Sequence, residues 1–318
     1  MAHEVQTMAY VNATPWHGLG NNLPSGPGQS IETWQQAAGM NWDIIETPVM
    51  FATPSEGGVT FRTNPDSKVL FRSDSMAALS VVSNRYQVVQ PQQVLEFYRD
   101  LVAAGGFELE TAGVLKGGRK LWALAKTNQS TSLKGGDQVK AYLLLATSCD
   151  GTLATSAFFT SVRVVCNNTL QLSLRGGEGV IKVPHSTVFD PTSVKHQLGL
   201  GLSSWDQFQR SIKKLAARPV SEAEAKAYLV DVLGDPSNPF ELQPKPVKTA
   251  LELFSGGGIG AGMSSAKGTA WGLLNAVTEL TDHRRAAKSP DTRLDSAWFG
   301  IGSQMKAKAF EEAMKLTA

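Results

Sequence analysis

From Phe107 to Leu174 the chain reads as alternating segments separated by turn dipeptides, and this pattern commits it to an antiparallel sheet. One turn is Lys116-Gly117-Gly118, between Phe107–Leu115 and Arg119–Thr127. A second is Asp150-Gly151, between Val139–Cys149 and Thr152–Thr160. Gly-Gly and Asp-Gly suit two-residue hairpins, whose type I′ turns need positive φ at both centres. Leu121, Ala123 and Ala125 share one face of their strand, and Trp122, Leu124 and Lys126 the other. Ala141, Leu143 and Leu145 likewise oppose Tyr142, Leu144 and Ala146. Apolar residues on both faces predict a sheet covered by helices on at least one side. A helix opening within Val162–Leu170 is expected to close the meander.

Flanking segments carry clear stop and start signals. Ser30 predicts an N-cap for a helix over Ile31–Ala38. Pro48–Ala52 and Val59–Thr63 predict a hairpin around Ser55-Glu56-Gly57-Gly58, with further strands at Val69–Arg72 and Ala78–Ser83. Pro91 opens a helix that Gly105-Gly106 stops. After Leu174 the spacing is helical: Pro191–Ala217 with a break near Gly199–Gly201, a capping box at Ser221 and Glu224, Val247–Phe254, a helix from Ser264 or Ser265 to Asp282, and a last one from Ser303. Gly256–Gly262 reads as a mobile loop. The fold class is α+β: a central antiparallel β-meander closed by a helix, with a mainly helical C-terminal half. Three regions are expected, an irregular arm over 1–30, an α+β core over 31–180 and a helical region over 181–318.

Composition excludes several classes. No run of about 18 apolar residues exists to cross a membrane as a helix, and the first residues lack the basic and apolar pattern of a secretory signal. A place in the cytoplasm is expected. Cys149 and Cys166 have no metal-ligand spacing and read as buried, reduced thiols. The five histidines, His3, His17, His185, His196 and His283, form no pair suited to zinc, so no metal is expected. The Gly256–Gly262 run lacks both phosphate-loop and dinucleotide spacing, so no cofactor is expected. No acid–base pair or nucleophile emerges, and a non-enzymatic role follows.

Charge is mildly asymmetric. Residues 1–160 carry 11 Lys and Arg against 13 Asp and Glu; residues 161–318 carry 19 against 15. Arg210, Lys213, Lys214 and Arg218 recur at helical spacing, and Arg284 and Arg285 follow His283 at the end of a helix. Each cluster also reads as an ordinary solvated face. Arg163 differs: it sits among valines, so its charge needs a partner, either a carboxylate or a phosphate. Asn167 and Asn168 beside it are candidates for a structural role, capping orphan backbone groups.

Several motifs together resemble a known family. They are Pro15-Trp16-His17-Gly18-Leu19-Gly20, Val82-Ser83-Asn84-Arg85-Tyr86, Ser148-Cys149-Asp150-Gly151, Val162–Leu170, Gly268-Thr269-Ala270-Trp271-Gly272 with Asn275–Glu279 and Asp282-His283, and Ser296-Ala297-Trp298-Phe299-Gly300. The chain resembles, over nearly its whole length, the phage/plasmid-like family of domain-of-unknown-function proteins. That resemblance implies a mobile-element protein in a bacterial host. A strand meander closed by a helix is also similar to the core of ring-forming single-strand-annealing proteins. This second resemblance implies binding and annealing of single-stranded DNA in phage or plasmid recombination, by a homo-oligomeric ring or filament. Arg163, Lys213, Lys214, Arg284 and Arg285 are then the candidate phosphate contacts, with Tyr86 and Trp122 as base stackers. The alternative is a protein-interaction or host-defence-antagonist protein of the same element. Basic residues meeting in one groove favour the first; an exposed apolar patch favours the second.

Overall fold

The computed structural model describes residues 5–11, 20–24, 29–103, 106–165, 168–171, 180–200 and 203–318. Trp16, His17, Cys166 and Asn167 lie outside them. The fold is α+β, with a mainly antiparallel sheet before a largely helical C-terminal half. Its strands are β1 (Val5–Tyr10), β2 (Asn21–Asn22), β3 (Ile44–Ser55), β4 (Gly58–Arg72), β5 (Ala78–Ser83), β6 (Phe107–Leu115), β7 (Lys120–Leu133), β8 (Asp137–Ser148), β9 (Thr155–Arg163), β10 (Asn168–Gln171) and β11 (Val180–Val183). Its helices are α1 (Ile31–Ala37), α2 (Pro91–Glu96), α3 (Arg99–Ala103), α4 (Pro191–Leu200), α5 (Ser203–Ala217), α6 (Glu222–Leu233), α7 (Lys245–Glu252), α8 (Ala270–Glu279), α9 (Pro290–Phe299) and α10 (Ile301–Lys315). One sheet runs β10-β9-β8-β7-β6-β1-β2, with β11 also on β9; a second runs β3-β4-β5. The chain forms two compact units that do not follow it in blocks, because β7, β8 and β9 each contribute residues to both.

The first unit comprises Met1–Lys126, Leu144–Ala157 and Ile181–Gln197. Ser30 caps α1 as expected, its hydroxyl accepting from the Thr33 amide at 3.2 Å. The irregular arm expected over residues 1–30 is in part a strand. Met8, Ala9 and Tyr10 are buried, and β1 pairs antiparallel with β6, covering an edge that would otherwise stand open. The helix opened by Pro91 is broken: α2 ends before Phe97 and Tyr98, and α3 resumes at Arg99. Both rings are fully buried, and the Tyr98 hydroxyl donates to the Ala123 carbonyl at 2.8 Å. Two consecutive buried aromatics do not fit one apolar stripe on a short helix. The Lys116–Gly118 turn is longer than a two-residue hairpin: Lys116, Gly117 and Gly118 all have positive φ. At Gly118 (φ 106°) a Cβ would lie 3.0 Å from the Trp42 ring.

The second unit comprises Thr127–Leu143, Phe158–Val180 and Leu198–Ala318. Here the expected closing helix is overturned. Val162 and Arg163 stay extended at the end of β9, Val164 and Val165 turn, and Asn168–Gln171 returns as β10 against β9, with Thr169 opposite Val162. The β-branched residues Thr160 and Val162 favour the pleated form. Thr269, not Ser264 or Ser265, caps α8, its hydroxyl accepting from the Gly272 amide. Ser265 is instead fully buried. The loop expected to be mobile is pinned: its first glycines, Gly256 and Gly257, close a π turn over Leu253–Gly257, and the Ile259 amide donates to Glu279 at 2.8 Å. An unexpected helix, α9, precedes the last one, which starts at Ile301. Every residue of α8 is buried, so its polar side chains Asn275, Thr278 and Glu279 must find partners within the protein.

Candidate interaction surface

The residues expected to contact DNA fall in both units and differ sharply in access. In the first unit, Trp122 is buried, and Tyr86 is buried with its hydroxyl donating to the Ser148 carbonyl at 2.7 Å. The Tyr86 ring stacks on His185 at 4.3 Å, and burial raises its hydroxyl pKa. Neither ring presents a face to a base, which corrects their assignment as stackers.

In the second unit, Arg163 is 2% exposed and takes a carboxylate, not a phosphate, as its partner. Its Nε donates to both oxygens of Asp137 at 2.9 and 3.0 Å, and its Nη2 reaches the Gly260 carbonyl at 3.1 Å. Asp137, wholly buried, also accepts from Ser265 Oγ at 2.6 Å and Trp271 Nε1 at 3.1 Å. That arrangement satisfies the guanidinium internally and corrects the phosphate assignment of Arg163. Arg284 donates to the buried Glu279 at 3.0 Å, while half its side chain is exposed. Arg285 is half-buried. Lys213 and Lys214 are exposed, with Arg210, opposite the buried α5 residues Phe208, Ile212 and Leu215.

A second buried charge pair joins the segments that carry the family resemblance. Asp282 accepts from the Thr169 amide at 2.7 Å, the Thr169 hydroxyl at 3.0 Å and Lys306 Nζ at 2.7 Å. Burial holds the Lys306 ammonium below the ordinary lysine range, against the opposing pull of Asp282. Asn168 donates to the Asn275 carbonyl at 3.2 Å, and its Oδ1 lies 3.1 Å from His283 Nε2. These side chains meet one another's polar demand, so the network holds strands and helices together. Among the described residues no three His, Cys, Asp or Glu side chains converge as metal ligands. Burial, first, pushes the Cys149 thiol up to about 12, leaving it protonated and unreactive at neutral pH.

The outer half of the β3–β4 hairpin, in the first unit, is the reverse case. Its pairing sets Met50 opposite Thr63, Ala52 opposite Phe61 and Pro54 opposite Val59. Directly paired residues point to the same face. One face of the ribbon is therefore Met50, Ala52, Pro54, Val59, Phe61 and Thr63, without a charge. The other holds Phe51 with Arg62 and Thr53 with Thr60. Met50 is 58% exposed, Val59 63% and Phe61 64%. At the root of the ribbon lies an open groove of about 350 Å³, lined by Glu46, Lys68, Asn64 and Asn84 among others. The sequence predicted this hairpin but not its bare face. The signal is there, in the alternation of Met50, Ala52 and Pro54 with Phe51 and Thr53.

No curated protein and no solved structure gives a significant match to the chain. Residues 78–298, which include the β9–β10 pair, α8 and both buried charge pairs except Lys306, match Domain of unknown function (DUF932), and the chain belongs to that family.

Proposed function

We propose that this chain is a non-enzymatic protein-interaction component of a bacteriophage or conjugative plasmid, and that it engages its partner through the apolar face of the β3–β4 ribbon. The mobile-element setting rests on the motif resemblance. The mode of action rests on one observation: an alternating strand pair with an uncharged apolar face left bare to solvent. Antiparallel sheets normally turn that face to a core, and an isolated two-stranded ribbon is marginal in water. The buried carboxylates Asp137, Asp282 and Glu279 are each engaged by internal donors, which speaks for scaffold over chemistry. Of the expected DNA contacts, Lys213 and Lys214 stand in solvent, with Arg284 and Arg285 partly so, while Arg163, Tyr86 and Trp122 are buried.

A photo-cross-linking residue placed at Phe61, and separately at Phe51, tests the reading in bacterial cells carrying the element. Protein adducts are expected at position 61 and not at 51. Anisotropy with labelled oligo-dT at low salt runs in parallel. Saturable binding lost in Lys213→Glu/Lys214→Glu, with no adduct at 61, replaces this reading with single-strand binding.

A further inference from the structure

We infer that the partner docks as an extended strand along the outer half of β4, Gly58–Asn64, with one end seated in the groove at the ribbon's root. The inference rests on the proposed interaction role and supplies the partner's form: a strand of another protein that alternates apolar with polar side chains, one of them acidic.

The pairing register identifies the open main-chain groups. Ser55 and Gly58 flank the Glu56-Gly57 turn and exchange ladder bonds, so the next bonded pairs are Thr53 with Thr60 and Phe51 with Arg62. Val59, Phe61 and Thr63 therefore turn their N–H and C=O groups away from β3. β5 takes this same edge of β4 only at Ser67–Phe71, and the Asn84 amide extends the line to the Asp66 carbonyl at 3.0 Å. No described strand pairs with the edge beyond that point. An added strand continues the line on which the protein already seats its own β5.

The opposite edge of the ribbon is built differently. Pro54, opposite Val59, holds an outward position on β3 and has no N–H to offer, and Pro48 nearer the root has none either. Proline at an edge is a device that blocks strand addition. β4 carries no proline from Gly58 to Asn64. One edge is closed to a strand and the other is open.

Side chains select the strand. Strand addition draws affinity from main-chain bonds and specificity from the sites that receive alternate side chains. The groove of about 350 Å³ is lined by Thr63, Asn64 and Asn84, where β5 stops and the open edge begins, so an added strand runs its end into it. Exposed Val59 and Phe61 offer apolar neighbours to one set of alternate residues. On the other face Arg62 is exposed, and its cross-strand neighbour Phe51 offers no charge. An acidic residue beside Arg62 on the added strand completes a cross-strand ion pair.

Selection of short random peptides displayed on phage, with the full chain as bait, tests this; affinities of the selected peptides follow by fluorescence anisotropy. They are expected to alternate apolar and polar residues around an acid. Thr63→Pro removes an outward N–H and leaves the β3 ladder whole, and should weaken binding roughly tenfold. Ala52→Pro, on the closed edge, should leave affinity unchanged. Arg62→Glu should turn the selection from acidic to basic peptides. If Thr63→Pro does not fold, amide exchange on the unmodified chain serves: Val59, Phe61 and Thr63 should slow when peptide is bound, and Ala52 should not. No enriched peptide, or equal loss in both proline variants, overturns the inference. So does a concentration-dependent dimer that Thr63→Pro abolishes while no peptide is enriched, which gives the edge to a second copy. If adducts at position 61 persist in Thr63→Pro, the interaction role survives and the added strand is lost. If neither peptide nor adduct forms, both fall.

Discussion

The β3–β4 ribbon and the interior around α8 invert the usual distribution of side chains. The ribbon shows Met50, Val59 and Phe61 to water, whereas the interior buries Asp137, Arg163, Asp282 and Lys306. Each buried charge has an opposite charge within 2.9 Å and further donors or acceptors around it. Burying an ion is tolerable only on those terms. The bare apolar residues meet no such condition within the described residues. The contrast separates two regions: the interior network engages its charges within the fold, and the ribbon leaves apolar side chains in solvent.

Breaking the interior should be expensive. Arg163→Leu leaves Asp137 buried without its ion partner and should cost about 3–5 kcal/mol in urea unfolding. Arg163→Leu/Asp137→Leu should recover only part of that loss, since the unpaired charge goes too but the buried Ser265 and Trp271 donors lose their acceptor. An unchanged denaturation midpoint in the single variant would mean that the interior pair contributes no more than a surface one.

Lys306→Met should cost about 3 kcal/mol for the same reason, because Asp282 keeps only its Thr169 donors. This site adds a pH signature. The native Lys306 loses its proton below the unfolded value, so the unfolded chain binds more protons between the two. Stability contributed by this group therefore rises with pH through that window, toward 10.5, and the rise should vanish in Lys306→Met.

An exposed polar site with local partners should fall between the extremes. Ser221 caps α6, and its amide and hydroxyl donate to Glu224 at 2.8 Å. Ser221→Ala should cost about 1 kcal/mol. Those hydrogen bonds, with Arg218, hold the Glu224 carboxyl at about 2. Its contribution is whole above the ordinary value of 4.5 and disappears as pH falls toward 2, and acid titration of Glu224→Gln should lack that step. The smallest effect belongs to the ribbon. Phe61→Ser should change stability by less than about 0.5 kcal/mol, because the ring is already in solvent. A loss above about 2 kcal/mol would show that the face is covered within the chain and would erase the contrast.

Much of the fold was legible along the chain because its causes are local. Ser30, Pro91 and the Ser221–Glu224 box mark helix starts through bonds to the next turn, and the alternation at Leu121–Lys126 and Ala141–Ala146 marks strands. The need of Arg163 for a partner was equally local, since a charge among valines cannot stay unpaired. Which partner it took was not. Asp137 stands 26 residues earlier, Asn275 lies 107 residues from Asn168, and Asp282 lies 113 from Thr169. Neighbour patterns hold no record of such pairings, which exist only once strands and helices pack. The same packing kept Val162–Arg163 extended and returned Asn168–Gln171 as a strand, where an asparagine pair suggested a helix start. It also buried Tyr86 and Trp122, because an aromatic side chain reads alike in sequence whether it fills a core or faces a ligand. Local periodicity determined which segments are strands and helices; tertiary structure alone decided which charges are satisfied inside and which apolar face remains free, because desolvation is a property of the packed molecule and not of the chain.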